Sequence, residues 1–443
     1  MKDNVMKQNF TLPRLLWFVL PTVVMMVAMS TYTSVDGAFV SKMISEDALA
    51  AVNIVYPVIS VIVALSLMLA TGSNAIIARK LGEGKGEEAR QFFTLIYGVG
   101  FGSGVVLSLL CWLGIEPLLA WLGTTPELYG YAREYLGVLL WFFPMGFLQM
   151  FTQNFFVTEG KPGIGLTTCL LGGVANIVLD YVFMGPCQMG IAGAAVATGI
   201  GYSVPGLYGV WYFARNAGGT LHFQRPRWRG REMLHTCSNG SSELVNNLSV
   251  AITTLLFNLT MLHYVGEAGV SAITVILYLQ FIQAAVYFGY AQGIAPVISY
   301  KYGQGDQLQL HGIVRTSIFL LTGCSLLVVL FSILLADEAV MLFLEPGSST
   351  FALARRGFLI FSTSYLFMGV NVFLSAMFTA LSNGFLSALL SFLRTLVFLV
   401  GGLLFFPWWL GVDGVWIAVP AAEALSAVVG YICYRSQKKR YGY

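Results

Sequence analysis

Charge is what this sequence has least of. Asp, Glu, Lys and Arg make up 10% of its 443 residues, against 57% hydrophobic ones and a mean hydropathy of +0.75, a balance that excludes an ordinary soluble domain. Histidine is nearly absent, with four copies, no His-Glu-x-x-His run, no paired histidines and no Ser/His set, so an enzyme reading finds no support. The six cysteines, Cys111, Cys169, Cys187, Cys237, Cys324 and Cys433, lack ligand or disulfide spacing and read as packing residues. The net charge of +3 is gathered in loops and leaves no nucleic-acid footprint. Missing too is the roughly ten-residue alternation of an outer-membrane barrel.

What the sequence does have is apolar runs, near 14–40, 49–78, 92–113, 130–156, 163–184, 191–214, 237–262, 270–300, 313–336, 350–381, 384–406 and 412–434. Each is long enough to cross roughly 30 Å of hydrocarbon as a helix, so the expected fold is an all-α integral membrane protein of about twelve transmembrane helices. The start, MKDNVMKQNFTLPRLLWFVLP, resembles a signal peptide, but no small-residue cleavage site follows and it reads as a retained first helix. With the N-terminus inside, every loop Lys and Arg except Lys42, Arg133, Arg355 and Arg356 falls on the cytoplasmic side. That asymmetry predicts both termini in the cytoplasm, with the chain in the plasma (inner) membrane. The longest polar insertion, 214–234, divides the chain into an expected N-terminal lobe (1–214), a cytoplasmic linker (215–236) and a C-terminal lobe (237–443). The basic stretch at 225–231 reads as a topology determinant in contact with lipid head groups.

The halves repeat. LAAVNIVYPVISVIVALSLMLATGSNAIIARKLGEG (49–84) lies over VSAITVILYLQFIQAAVYFGYAQGIAPVISYKYGQG (270–305), an offset of 270 − 49 = 221, and GIAGAAVA (190–197) lies over GVDGVWIA (411–418) with the same offset. A single ungapped spacing is expected throughout. Six helices per half is an even number, so the copies are parallel repeats about an axis along the membrane normal. Two pseudo-symmetric six-helix bundles of this kind enclose a cleft, and rocking one against the other gives alternating access.

Against the apolar background a few polar residues stand out. Asp180 in NIVLDYVFMG sits at membrane depth with Asn176 one turn earlier on the same helical face, and a charge there is costly unless paired or functional. At that offset Asp180 lies over Gly401, Asn176 over Val397, Asp36 over Phe257 and Thr198 over Val419, so the polar set belongs to one lobe. Counted from the outer loops, Asp36, Asp180 and Thr198 fall within a helical turn or two of one another. Carboxylate, amide and hydroxyl oxygens suit a small cation such as Na+, and two carboxylates in a dry site equally suit a shared proton; the residues do not choose. Glu243, in NGSSELVNN, reads either as a further acid or as a helix cap. Arg394 reads either as a cavity counter-ion or, the reading favoured here, as a side chain whose head reaches the interface. Met25, Met26, Met29, Tyr56 and Met68 in the first lobe, and Tyr278, Phe281 and Tyr287 in the second, are the candidates for a soft, aromatic substrate cavity.

Taken together, VDGAFVSK with ALAAVNIVYP, GSNAIIARKLGEGKGEEAR, NIVLDYVFMGPCQMGIAGAAVAT and LFNLTMLHYVGEAGVSAI make the chain resemble the multidrug and toxic compound extrusion (MATE) family over nearly its whole length. The resemblance implies export of organic, often cationic and aromatic, compounds in exchange for Na+ or H+. It implies that Asp36, Asn176, Asp180 and Thr198 form the coupling-ion site, and that Pro21 matches the family's bend-forming proline. It departs from members that carry acids on the tenth helix, since FSTSYLFMGVNVFLSAMFTA has none. No cofactor beyond the coupling ion is expected, the partners are small organic molecules and membrane lipids, and a monomer is expected. A lipid or lipid-linked saccharide flippase is the alternative, but it would need a strongly cationic cleft.

Overall fold

The computed structural model describes residues 5–443, and those residues form helices joined by short turns apart from the longer segment 216–229. In the first half these are α1 (Leu12–Met43), α2 (Glu46–Gly82), α3 (Gly86–Leu113), the short α4 (Ile115–Trp121), α5 (Pro126–Leu139), α6 (Phe143–Thr158), α7 (Pro162–Met184) and α8 (Gly190–Arg215). The second half repeats the order: α9 (Gly230–Tyr264), α10 (Glu267–Gln304), α11 (Gln307–Leu334), the short α12 (Ala336–Met341), α13 (Ser349–Ser362), α14 (Tyr365–Ala380), α15 (Gly384–Phe392), α16 (Leu399–Leu410) and α17 (Val412–Tyr441). Among the described residues, 11 helices are long and apolar enough to span a membrane, and the pair α13 and α14, bent by 51°, supplies a twelfth. Polar side chains fix several starts: Ser45, Asp306, Ser348 and Asn383 each accept a hydrogen bond from the backbone N–H three residues on.

Two expectations change here. The repeat spacing is not constant. Helix starts give 267 − 46 = 221 and 307 − 86 = 221, then 349 − 126 = 223, 365 − 143 = 222 and 384 − 162 = 222. The turn between α12 and α13 is longer than that between α4 and α5, so the middle of the repeat slides. By the turn before the last helix, the left-handed Gly190 (φ 60) and Gly411 (φ 57) restore 221. Asp180 therefore faces Gly401 or Gly402, and in neither case an acid. The helix after the linker also begins at Gly230 rather than near 237, which puts Glu243 well inside α9 and removes its capping role.

The buried residues form two cores. One is built from residues between Val40 and Leu221. The other spans Phe257 to Tyr443 and also takes in Phe10 just before α1, Leu15, Phe18 and Val19 at its start, and Val157 of α6. In return, Met233 and Cys237 at the start of α9 pack against the first core. Each half thus sends the beginning of its first long helix into the other. Glycine makes the crossing possible: a Cβ at Gly72 would overlap the Thr236 carbonyl oxygen, one at Gly240 that of Met68, one at Gly82 that of Tyr300 and one at Gly303 that of Arg79.

Ion pairs join the same end of the bundle. Lys80 Nζ lies 2.7 Å from Glu88 and 3.0 Å from Glu232, and Arg229 lies 3.0 Å from each of these carboxylates. The segment between α8 and α9 is held down along most of its length. Leu221 N donates to Glu159 at 2.6 Å, Gln224 N donates to Thr94 at 2.9 Å, and Phe223 stacks on Phe93. Arg225 to Trp228 are exposed.

Candidate ion and substrate site

The polar residues singled out in the first half meet inside its bundle. Asp36 comes from α1, Asn176 and Asp180 from α7, and Thr198 from α8, where α7 and α8 approach closely because a Cβ on Gly172 would lie only 2.6 Å from the Gly201 carbonyl oxygen. The carboxyls of Asp36 and Asp180 are neighbours. Asp180 is fully buried and Asn176 is 3% exposed.

Three tyrosines and a glutamine, not anticipated from the sequence, complete the surroundings. Tyr135 neighbours both carboxyls and the Thr198 hydroxyl. Tyr202 neighbours Asp36 and Tyr56, and Tyr32 neighbours Asp36, Tyr202 and Gln149. Tyrosine is frequent in apolar helices, and only tertiary packing selects these three. Gln149 was the more legible signal, as an amide in an otherwise apolar stretch.

The hydrogen-bond inventory is incomplete at this spot. Asp36 Oδ1, both carboxylate oxygens of Asp180, Asn176 Nδ2, Thr198 Oγ1 and Gln149 Oε1 are buried without a hydrogen-bond partner. Neither aspartate pairs with a described basic residue. Buried polar atoms are nearly always bonded, and a buried carboxylate without a counter-charge costs several kcal/mol. Two such carboxyls side by side cannot both stay ionised unless a proton or a cation joins them. No group of three His, Cys, Asp or Glu gathers among the described residues, so the donor set is one of oxygens around two acids, suited to a monovalent cation or a proton.

The cavity candidates do not gather on one surface. Tyr56 lies beside Tyr202. Met25 and Tyr287 are buried, the Tyr287 hydroxyl accepting from Ser325 at 3.2 Å. Tyr278 stacks on Phe343, and Phe281 is 54% exposed. Met68 packs behind Gly240, and Met26 and Met29 are half-buried on α1. Glu243 is half-buried on α9, without an ion pair among the described residues.

Arg394 does not reach an interface. It donates to Glu423 at 2.8 Å, and Asn371 donates to the other carboxylate oxygen at 2.6 Å. A lone acid in the AVPAAEALS stretch of α17 was the signal that could have located this pair.

Comparison with known proteins places these findings in context. The chain matches the MatE family over residues 21–182 and again over 244–404. It is similar to a protein of Staphylococcus saprophyticus named Multidrug export protein MepA, at 23% identity over 97% of this chain and 94% of the relative. A solved structure described as the outward-facing conformation of a multidrug resistance MATE family transporter shares the fold, with TM-score 0.93 and 24% identity over 100% of this chain and 99% of the other. A crystal structure of MATE in the bent conformation superposes with TM-score 0.89 at 25% identity, over 96% of this chain and 95% of the other.

Proposed function

Because the chain belongs to the MatE family of multidrug-efflux transporters, we propose that it is a secondary active antiporter, exporting organic cationic or aromatic compounds in exchange for Na+ or H+ by rocking-type alternating access. The observation that carries the coupling is the neighbouring pair of half-buried Asp36 and fully buried Asp180, with orphaned buried oxygens and no described basic partner. A pair in that state takes up a cation or proton whenever the site is open to it. Uptake removes the mutual repulsion and lets α7 and α1 close around the pair. Pro21 lies inside α1 between the part packed in the second core and the part carrying Asp36; its missing N–H leaves one helical bond unmade and makes a bend there inexpensive. Bending at Pro21 couples occupancy of the acids to displacement of the organic substrate, and release of the ion on the other side resets the site.

The loop charges support a cytoplasmic N- and C-terminus, which puts the glycine-lined end on the cytoplasmic side and the linker within the cell. Lobes 1–214 and 237–443 are the moving bodies, and a single chain contains the whole path, so a monomer suffices. The charges at the first-lobe site are acidic, as cation coupling requires and unlike what a pyrophosphate-carrying flippase would need.

The test is efflux of a fluorescent organic cation from proteoliposomes under an imposed Na+ or pH gradient. Asp36→Asn and Asp180→Asn each lose at least tenfold of gradient-driven efflux, about 1.4 kcal/mol or more of coupling, while dye binding persists. Full transport in either variant sinks the assignment.

A further inference from the structure

Three polar residues of the second lobe stand where the repeat places the surroundings of Asp36. Glu423 corresponds to Tyr202, since 423 − 202 = 221, the spacing of Gly190 and Gly411 at the two helix starts. Asn371 corresponds to Gln149, since 371 − 149 = 222, the spacing of α6 and α14. Arg394 falls at the level of Gly172 and Gly173 on α7. In the first lobe, Gln149 and Tyr202 both neighbour Tyr32, and a Cβ on Gly173 would meet that ring at 3.1 Å.

In the second lobe the three counterparts are bonded to one another. Arg394 Nε donates to Glu423 Oε1 at 2.8 Å, and Asn371 Nδ2 donates to Glu423 Oε2 at 2.6 Å and to its backbone carbonyl at 2.9 Å. The pair is buried, with 13% of the Arg394 side chain and 6% of the Glu423 side chain exposed. Among the described residues, Tyr287 of α10 also faces Glu423, its hydroxyl engaged by Ser325. At Arg394 the helix passes into a π segment, Leu393–Phe398, a feature that recurs at functional sites. Beside the pair lies a cavity of about 10 Å³, lined among others by Asn371, Ser391, Arg394 and Ser426. That is room for a single water, and a free cation placed there would meet the guanidinium.

The two lobes therefore solve one problem in opposite ways. The first holds two neighbouring acids with no described counter-charge; at the corresponding place the second holds Glu423 with both oxygens occupied. We propose that the second lobe is a closed counterpart of the first-lobe site, in which Arg394 is a tethered cation filling the role that an exchangeable cation plays beside Asp36 and Asp180. Arg394 is a positioning residue: it keeps Glu423 neutralised and deaf to the ion gradient, so that one lobe alone exchanges a cation. This rests on the reading of the first-lobe acids as the coupling site.

The decisive experiment uses the full chain with Asp36→Asn and Asp180→Asn together, so that the first lobe is silent, and measures radioactive Na+ binding and proton uptake by the purified protein. With Arg394 present, no saturable Na+ site is expected, and proton uptake sets the baseline of the remaining titratable groups. Adding Arg394→Met creates one new site for Na+ or a proton; Arg394→Lys does not create it, and Arg394→Met with Glu423→Gln abolishes it. Absence of a new site in a folded Arg394→Met protein overturns the proposal, as does cation binding at Glu423 with Arg394 in place. Should Arg394→Met fail to fold, the neutral pair Arg394→Met with Glu423→Met in the otherwise unaltered chain decides. Such replacements of buried ion pairs are often tolerated, and gradient-driven efflux is expected at the parent rate with the parent ion dependence. Loss of ion coupling with dye binding intact, or failure of this variant also to fold, overturns the tethered-cation role. If the two aspartates prove irrelevant to coupling in the parent protein, the first-lobe reading fails separately.

Discussion

Asp180 and Glu159 are both buried carboxyls, and what surrounds them sets their use. Asp180 has no hydrogen-bond partner for either oxygen, whereas Glu159, 5% exposed at the end of α6, accepts from Asn216 Nδ2 at 2.8 Å and from Leu221 N at 2.6 Å. Burial raises the Glu159 carboxyl above its ordinary value of 4.5, outweighing those two bonds. The folded loop then binds the proton more tightly than the released loop, so its attachment is strongest below the ordinary value and weakens as pH rises through the raised one. Hydrogen exchange at the Leu221 amide, corrected for intrinsic chemistry, is expected to speed up across that window, and in Glu159→Gln to stay level. An identical pH response in both proteins would refute it. At this scale the sequence was informative where a residue was chemically out of place: Asp36, Asn176, Asp180 and Thr198 announce themselves against apolar neighbours and do converge. Tyr32, Tyr135 and Tyr202 do not, because their position around the acids exists only after α1, α5 and α8 have packed.

Backbone proximity governs the helices that cross between halves. A methyl at Gly303 would overlap the Arg79 carbonyl oxygen, which belongs to helical backbone and cannot swing aside, whereas around Gly98 on α3 there is open space. Gly303→Ala is therefore expected to cost about 1–3 kcal/mol, read as a lowered Tm in detergent, and Gly98→Ala to leave Tm unchanged or slightly raised. Equal melting of the two variants would show that the close approach carries no stability. Long spans were plain from hydropathy, since an apolar run of that length has one stable solution in lipid. The short α4 and α12, the 51° bend between α13 and α14 and the early start of α9 were not. The π segment at Arg394 was hidden for a similar reason, because its partner on α17 lies 29 residues further on.

The whole molecule is held together by exchange: Phe10, Leu15, Phe18 and Val19 complete the second core, while Met233 and Cys237 lean on the first. Neither half has its full apolar complement alone. If the chain is opened after Pro226, in the exposed part of the linker, the two pieces expressed together should copurify and restore dye efflux, and each expressed singly should be degraded or aggregate. A stable, fully helical half purified on its own would contradict that. The repeat was readable at this scale because spacing survives drift in individual residues, yet its slide from 221 to 223 and back depends on turn lengths that pattern matching absorbs. The pinned linker has a mechanical consequence. With Asn216 held by Glu159, Gln224 by Thr94 and Arg229 by Glu88, the linker is tied to the first lobe on both sides of the exposed Arg225–Trp228, which leaves no free leash ahead of α9. Any swing of one lobe against the other has to turn about the start of α9, or first break the ion pairs that Arg229 and Glu232 make there.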